Sequence, residues 1–145
     1  GALTRPGLSL YGGIARAQLA AEIRPVARPM AAIMQVRALS AGDGVGYNST
    51  YIAPAPMRAG VIALGYADGY LRCWSQGKGA MLHAGRRLPV LGRVSMDMTV
   101  IDLTNAPDLV EGDWVEADYA LPEGAAASGL SQYELLTLLG HRFAR

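Results

Sequence analysis

The chain has 145 residues, enough for one hydrophobic core, or for one core and the end of another domain, but too few for two full domains. Its 13 basic and 12 acidic residues leave a formal charge of +1 with no one-signed face, which argues against a nucleic-acid partner, and every apolar run is broken well before the roughly 20 residues that a membrane-spanning helix needs. A lone cysteine, Cys73, closes no internal disulfide, and His83 and His141 stand at no metal-ligand spacing, so the expectation is a soluble chain in a reducing, cytoplasmic setting, with no metal and no membrane.

Residues 1–25 differ in texture from the rest. A short stretch around Leu8-Ser9-Leu10-Tyr11 is followed by an alanine-rich run, Ile14 to Ile23, whose propensity predicts helix. From Pro29 onward short apolar runs of strand length take over, at Ala32 to Val36, Val61 to Leu64, Val90 to Val94, Thr99 to Leu103 and Trp114 to Ala117. Glycine-bearing turn signals separate them, at 41–44, 76–79, 84–86 and 111–113. Many short strands at this spacing predict a small barrel or sandwich. Near the end, Ser131-Gln132-Tyr133-Glu134 has the spacing of a capping box, so a helix starts there, with Leu135, Leu138, Leu139 and Phe143 on its buried face.

Three clusters mix residue types that a plain core does not require. The first, residues 44–51, sets Tyr47 and Tyr51 among glycines and short polar side chains. A tyrosine works as a general acid or base only when its surroundings bring a pKa of about 10 toward working pH. The plainer reading of Tyr47 is a strand-end ring capping the core. The second cluster, residues 65–72, and the third, residues 92–97, each bring an arginine, an aspartate and glycines to a strand end. That combination suits a small carboxylate, and equally an arginine-aspartate pair bracing a loop. A fourth feature, Arg5-Pro6-Gly7-Leu8, offers backbone N–H groups of the kind that hold phosphate, but Pro-Gly is also a simple turn signal. Twelve of the thirteen basic residues are arginine, and Lys78, between two glycines, reads as an exposed loop residue. Cys73 reads as a small buried hydrophobe rather than a nucleophile.

Taken in order, the segments 5–12, 41–51, 64–70, 91–97 and 132–137 resemble alanine racemase, over nearly the whole chain. The resemblance implies a mainly β fold, a small barrel-like β domain with a C-terminal helix, preceded by a remnant of a (β/α)8 barrel. Residues 1–25 would be the end of the barrel domain that binds pyridoxal 5'-phosphate, starting at its last strand, and residues 26–145 the C-terminal β domain. The implied activity is interconversion of L-alanine and D-alanine, supplying D-alanine for cell-wall peptidoglycan. Two bases act on opposite faces, one of them a lysine outside this chain that also carries the cofactor.

Carried over residue by residue, Tyr47 is similar to the family's catalytic tyrosine, acting in trans on the partner subunit of a head-to-tail homodimer. Arg5 resembles the arginine that hydrogen-bonds the pyridine nitrogen and, staying charged, does not readily protonate it. Gly7 and Leu8 match the pair whose backbone N–H groups hold the cofactor phosphate, joined there by the hydroxyl of Tyr133. Met96 occupies the position whose main-chain N–H reaches the substrate carboxylate. Tyr66, Arg72, Arg93 and Asp97 fall where the family lines its narrow entrance corridor, Tyr66 nearest the chemistry. Without the lysine-bearing barrel, the 145 residues alone would be inactive. Two other readings of the residues are a non-catalytic β module for binding or dimerisation, and a related racemase for serine or other amino acids.

Overall fold

The structure, a computed structural model, describes residues 7–140, 142 and 143. Among these residues eight strands form: β1 (Met30–Leu39), β2 (Gly44–Val45), β3 (Tyr51–Ile52), β4 (Met57–Ile62), β5 (Ala80–His83), β6 (Arg86–Leu91), β7 (Thr99–Asp102) and β8 (Trp114–Ala117). Six close into a barrel in the order β1-β4-β7-β6-β5-β8, and β2 and β3 make a separate two-stranded ribbon. Every barrel pair is antiparallel.

Closure depends on the long first strand. Met30 to Ala32 pair with β8, and Ile33 to Leu39 pair with β4. The register slips between Ile33 and Gln35, so Met34 is the extra residue of a bulge. A bulge bends its strand and increases local twist, which lets one strand serve both edges of a small ring.

Alternate side chains then face inward, including Ala31, Ile33, Ile62, Met81, Leu88, Val90, Ile101, Val115 and Ala117. One end of this core is sealed by aromatic rings. Tyr70 stacks on Trp74 at 4.8 Å, and Trp74 meets Tyr119 at 5.0 Å, both spacings at which ring pairs attract. Two helices, α1 (Leu121–Ser128) and α2 (Gln132–Leu138), lie over that end. Gly124 lets α1 come down on the Trp74 indole, where a Cβ would stand 2.8 Å from the ring.

The barrel bears out the sequence reading, with differences that have physical causes. Five apolar runs became β1, β4, β6, β7 and β8, shifted by a few residues. The strand at Ala80–His83 was not anticipated, because only four residues separate two glycine turns. Two helices follow the barrel rather than the expected one. Pro122 stands in the first turn of α1, where its missing N–H removes no helical bond. The helix expected over Ile14 to Ile23 is one 3-10 turn at Ala17–Leu19. Ten residues without a cap cannot offset the cost of helix nucleation unless an apolar stripe is buried, and here most of the run is exposed. In α2, Leu135 is buried but Leu138 faces outward, and Leu136 takes its place against the core. The helix ends at Leu138, so helical spacing no longer governs the residues beyond it.

Tyr119 ties the barrel to both the helices and the neighbouring loop. Its buried hydroxyl donates to two carbonyl oxygens, Gly69 O at 3.1 Å and Leu135 O at 3.0 Å, and burial raises its pKa. Tyr119→Phe leaves those carbonyls unpaired and is expected to lower unfolding free energy by about 1–3 kcal/mol, with an unchanged denaturant slope. Equal stability in a urea titration would contradict this role for the hydroxyl.

Candidate active site

The three clusters picked out by composition meet at one end of the barrel, and glycines bring them together. A Cβ at Gly92 would stand 3.1 Å from the Val45 carbonyl oxygen and 3.5 Å from Thr50 Oγ1. Its φ of 65° is one that L side chains rarely adopt. The first cluster is thereby seated on the third.

Within the first cluster, Tyr47–Ser49 form a single 3-10 turn between β2 and β3. Gly46, Asn48 and Ser49 have φ of 72°, 59° and 46°, so Tyr47 is bracketed by left-handed backbone. Strain of this kind persists only where surrounding structure imposes it. The result is a tyrosine 70% exposed, thrust away from the core instead of capping it. The plainer reading of Tyr47 is therefore corrected. Tyr51, half-buried against Met57, takes the packing role.

The second and third clusters share a tight seam. A Cβ at Gly65 would collide with the Met96 and Ser95 carbonyls. Across that contact Tyr66 N–H donates to Ser95 O at 3.0 Å and Ala67 N–H to Met96 O at 2.9 Å. The loop at 95–98 is closed on itself, Ser95 Oγ donating to Met98 O at 2.6 Å and accepting from Met98 N–H at 3.1 Å. Met96 projects from this loop, 53% exposed, and among the described residues its main-chain N–H has no acceptor. Tyr66 stands on the 3-10 turn Tyr66–Asp68, capped by Asp68, whose Oδ2 accepts the Gly65 N–H at 2.8 Å. The Arg72 guanidinium lies 4.8 Å from the centre of the Tyr66 ring, an attractive cation–π contact that fixes the ring's outer face.

Of the two readings of these clusters, an arginine-aspartate pair inside each one does not form among the described residues. Asp68 and Asp97 both turn to Arg142, with Nε 3.3 Å from Asp68 Oδ1 and Nη2 2.8 Å from Asp97 Oδ1. Arg93 is exposed and has no ion pair among the described residues. Arg142 belongs to no motif and lies 45 positions from Asp97, so only the fold reveals the connection.

A second group of residues assembles at the start of α2. Gln132 holds the N-terminal segment with a two-way amide clasp, accepting from Ile14 N–H at 2.8 Å and donating to Ile14 O at 2.9 Å. Ser131 and Glu134 form the predicted capping box, and the backbone N–H of Ser131 holds the Glu134 carboxyl below its ordinary range. Tyr133 then reaches Gly7, where a Cβ would stand 2.6 Å from its hydroxyl oxygen. Gly7, Leu8 and the Tyr133 hydroxyl therefore converge, whereas Arg5 lies outside the described residues. The far end of α2 packs on the second cluster, because a Cβ at Gly69 would stand 2.7 Å from Leu138 O. The start of α2 thus lies at Gly7 and its end at Gly69, the helix spanning roughly 10 Å between them.

The remaining candidates are quiet. Lys78 is exposed, and Cys73 is half-buried against the core, with burial pushing its thiol pKa up. Among the described residues no three His, Cys, Asp or Glu side chains gather as metal ligands, and no helix is long and apolar enough to cross a membrane.

A family model described as "Alanine racemase, C-terminal domain" matches residues 26–145. The alanine racemase of Acidiphilium cryptum is 42% identical over 146 residues, covering 99% of this chain and 41% of the relative. The crystal structure of the biosynthetic alanine racemase of Pseudomonas aeruginosa, 41% identical, superposes with a TM-score of 0.84 over 97% of this chain and 41% of that one. The alanine racemase of Bartonella henselae, solved with covalently bound pyridoxal phosphate, is 33% identical with a TM-score of 0.86, over 97% of this chain and 40% of that one. The chain spans about two fifths of the length of the relatives it matches.

Gly65→Ala should be among the most damaging small substitutions in the domain, because the carbonyls it would strike are backbone and cannot rotate away. A loss of about 1–3 kcal/mol is expected in chemical denaturation, with increased mobility of both loops. An unaltered midpoint would mean that the seam is looser than the geometry implies.

Proposed function

Because the chain belongs to the alanine racemase family, by its C-terminal domain, we propose that it forms part of a pyridoxal-phosphate-dependent enzyme that interconverts L-alanine and D-alanine. The whole activity and its substrate are inferred from the relatives, of which this chain matches two fifths, and the subunit arrangement from the family resemblance of residues 41–51. In this reading residues 1–25 are the end of the cofactor-binding barrel and residues 26–145 the β domain that faces a partner subunit, in a cytoplasmic head-to-tail homodimer whose product serves cell-wall peptidoglycan.

The fit to the cofactor rests on the cradle at the start of α2. Gly7 has no side chain where the Tyr133 hydroxyl sits, so that hydroxyl and the N–H groups of Gly7 and Leu8 can address one phosphate. Arg5 would face the pyridine nitrogen. When bound, pyridoxal phosphate supplies an electron sink that makes the substrate's Cα proton removable. The one lysine here, Lys78, sits in an exposed turn, so the lysine that carries the cofactor belongs to another part of the enzyme.

The other end of α2 serves the substrate. Tyr47 takes or returns the Cα proton on one face of alanine, in the partner's site. Met96 N–H binds the substrate carboxylate, and Tyr66 limits the space beside it. Arg72, Arg93 and Asp97 line the way in and, with Tyr66, restrict it to small amino acids. The observation that carries the reading is the exposure of Tyr47: a ring this open, on a turn held in left-handed backbone, has no packing role to explain it. A module used only for binding or assembly would have no need of Arg5, Tyr47 and Tyr133 together, which are cofactor-holding and proton-transfer groups in this reading.

Two measurements on the full-length protein test the proposal. With Tyr47→Phe in deuterated buffer, α-hydrogen exchange should fall by about 100-fold or more from one alanine enantiomer while largely surviving from the other. Wild-type rates from both would remove Tyr47 from the reaction. With Gly7→Ala, displacement of the Tyr133 hydroxyl should weaken pyridoxal phosphate retention by about tenfold, read by cofactor absorbance after dialysis. Unchanged retention would contradict the cradle.

A further inference from the structure

Two loops carry the groups assigned to the substrate, and both end in a carboxylate. Asp68, 8% exposed, caps the turn bearing Tyr66, and Asp97 directly follows Met96. One Asp68 oxygen, Oδ2, is already occupied by the Gly65 N–H; the other, Oδ1, meets Arg142. The same guanidinium reaches Asp97 through Nη2. Its planar fork therefore joins the two loops whose backbones meet at Gly65.

We propose that Arg142 is a positioning residue for substrate: by bridging Asp68 and Asp97 it locks the Tyr66 turn to the Met96 loop and sets where the Met96 N–H points. The proposal rests on the functional reading above and extends it to a residue from outside the two loops. Three features separate this bridge from an ordinary surface ion pair, which contributes little. One partner carboxylate is buried. The guanidinium binds two carboxylates from different loops, which a lysine ammonium, a compact single centre, cannot do with the same geometry. Finally, the bridge originates four residues beyond α2, whose last turn lies against Gly69. Arg142 thus anchors the substrate loops to the helix that carries Tyr133 in its first turn.

Removing the guanidinium leaves two like charges facing each other across the seam and frees the loops to separate. The hydrogen bonds at risk are those of Gly65, Tyr66 and Ala67 N–H. A small displacement of Met96 N–H weakens carboxylate binding without removing Tyr47 or the cofactor cradle.

The test uses the full-length protein with Arg142→Ala and Arg142→Lys, read in two ways. In hydrogen exchange, the amides of Gly65, Tyr66 and Ala67 should exchange about tenfold faster in Arg142→Ala, while β1 and β7 of the barrel keep their protection. In steady-state kinetics, KM for alanine should rise about tenfold with kcat within about twofold, Arg142→Lys falling between, and added guanidinium ion should recover part of the loss. Unchanged exchange at residues 65–67, or an unchanged KM, overturns the proposal. So does loss of protection throughout the barrel together with a parallel fall in kcat and thermal stability, since that outcome describes a fold brace. If the wild-type protein racemises no alanine, the functional reading fails by itself, and the local exchange at residues 65–67 still decides whether Arg142 holds the seam.

Discussion

The contact of Gly65 with the Met96 carbonyl governs the site end of this domain. No larger residue fits there, and the two loops consequently share backbone hydrogen bonds rather than side-chain packing alone. Tyr66, Met96, Arg93 and Asp97 inherit fixed relative positions from that seam. Gly92 repeats the device at the start of the Met96 loop and seats the Tyr47 turn. Backbone-to-backbone approach of this kind is stiff, because interiors are close-packed and transmit displacement instead of absorbing it. It is a suitable foundation for groups that must hold a proton or a carboxylate to within a fraction of an ångström.

The barrel supplies what the seam cannot. Its core is ordinary, an alternation of aliphatic side chains, but one end is closed by Tyr70, Trp74 and Tyr119, and the helices stand on those rings. Tyr119 reaches the Gly69 and Leu135 carbonyls together, so barrel, substrate loop and α2 meet at one hydroxyl. The start of α2 holds Tyr133 against Gly7, and its end rests on Gly69. In the proposed enzyme the cofactor cradle and the proton-transfer tyrosine would thus be mounted on one rigid unit while serving different parts of a shared assembly.

Much of this was legible in the residues. Strand-length apolar runs between glycine turns specified a small barrel or sandwich, the resemblance favoured the barrel, and Ser131 with Glu134 specified the last helix, because strand length and capping are local signals. The three clusters were legible as places of chemistry, since tyrosine, arginine and aspartate beside glycine suit no core. Their meeting at one end of the barrel was not, because it follows from closure, and closure depends on a bulge at Met34 that nothing in its neighbours announces. Arg142 was invisible for the same reason: its partners lie far away in sequence. The alanine-rich run misled in the other direction, since propensity without a buried stripe does not hold a helix. The roles of individual site residues came from resemblance rather than spacing, and the fold leaves Tyr47, Arg72, Arg93, Met96, Asp97 and Tyr133 exposed.

The claim at the centre of this account is that Tyr47 completes a site belonging to another subunit. Subunit mixing tests it most directly. Full-length protein carrying Tyr47→Phe is combined with protein whose cofactor-bearing lysine has been replaced, each inactive alone, and racemisation of L-alanine is followed by polarimetry after subunit exchange. If the tyrosine acts in trans, hybrid dimers contain one intact site of two, and activity returns to about a quarter of wild type at equal mixing. If mixing restores nothing although hybrids form, the tyrosine serves its own subunit and the shared-site arrangement is wrong.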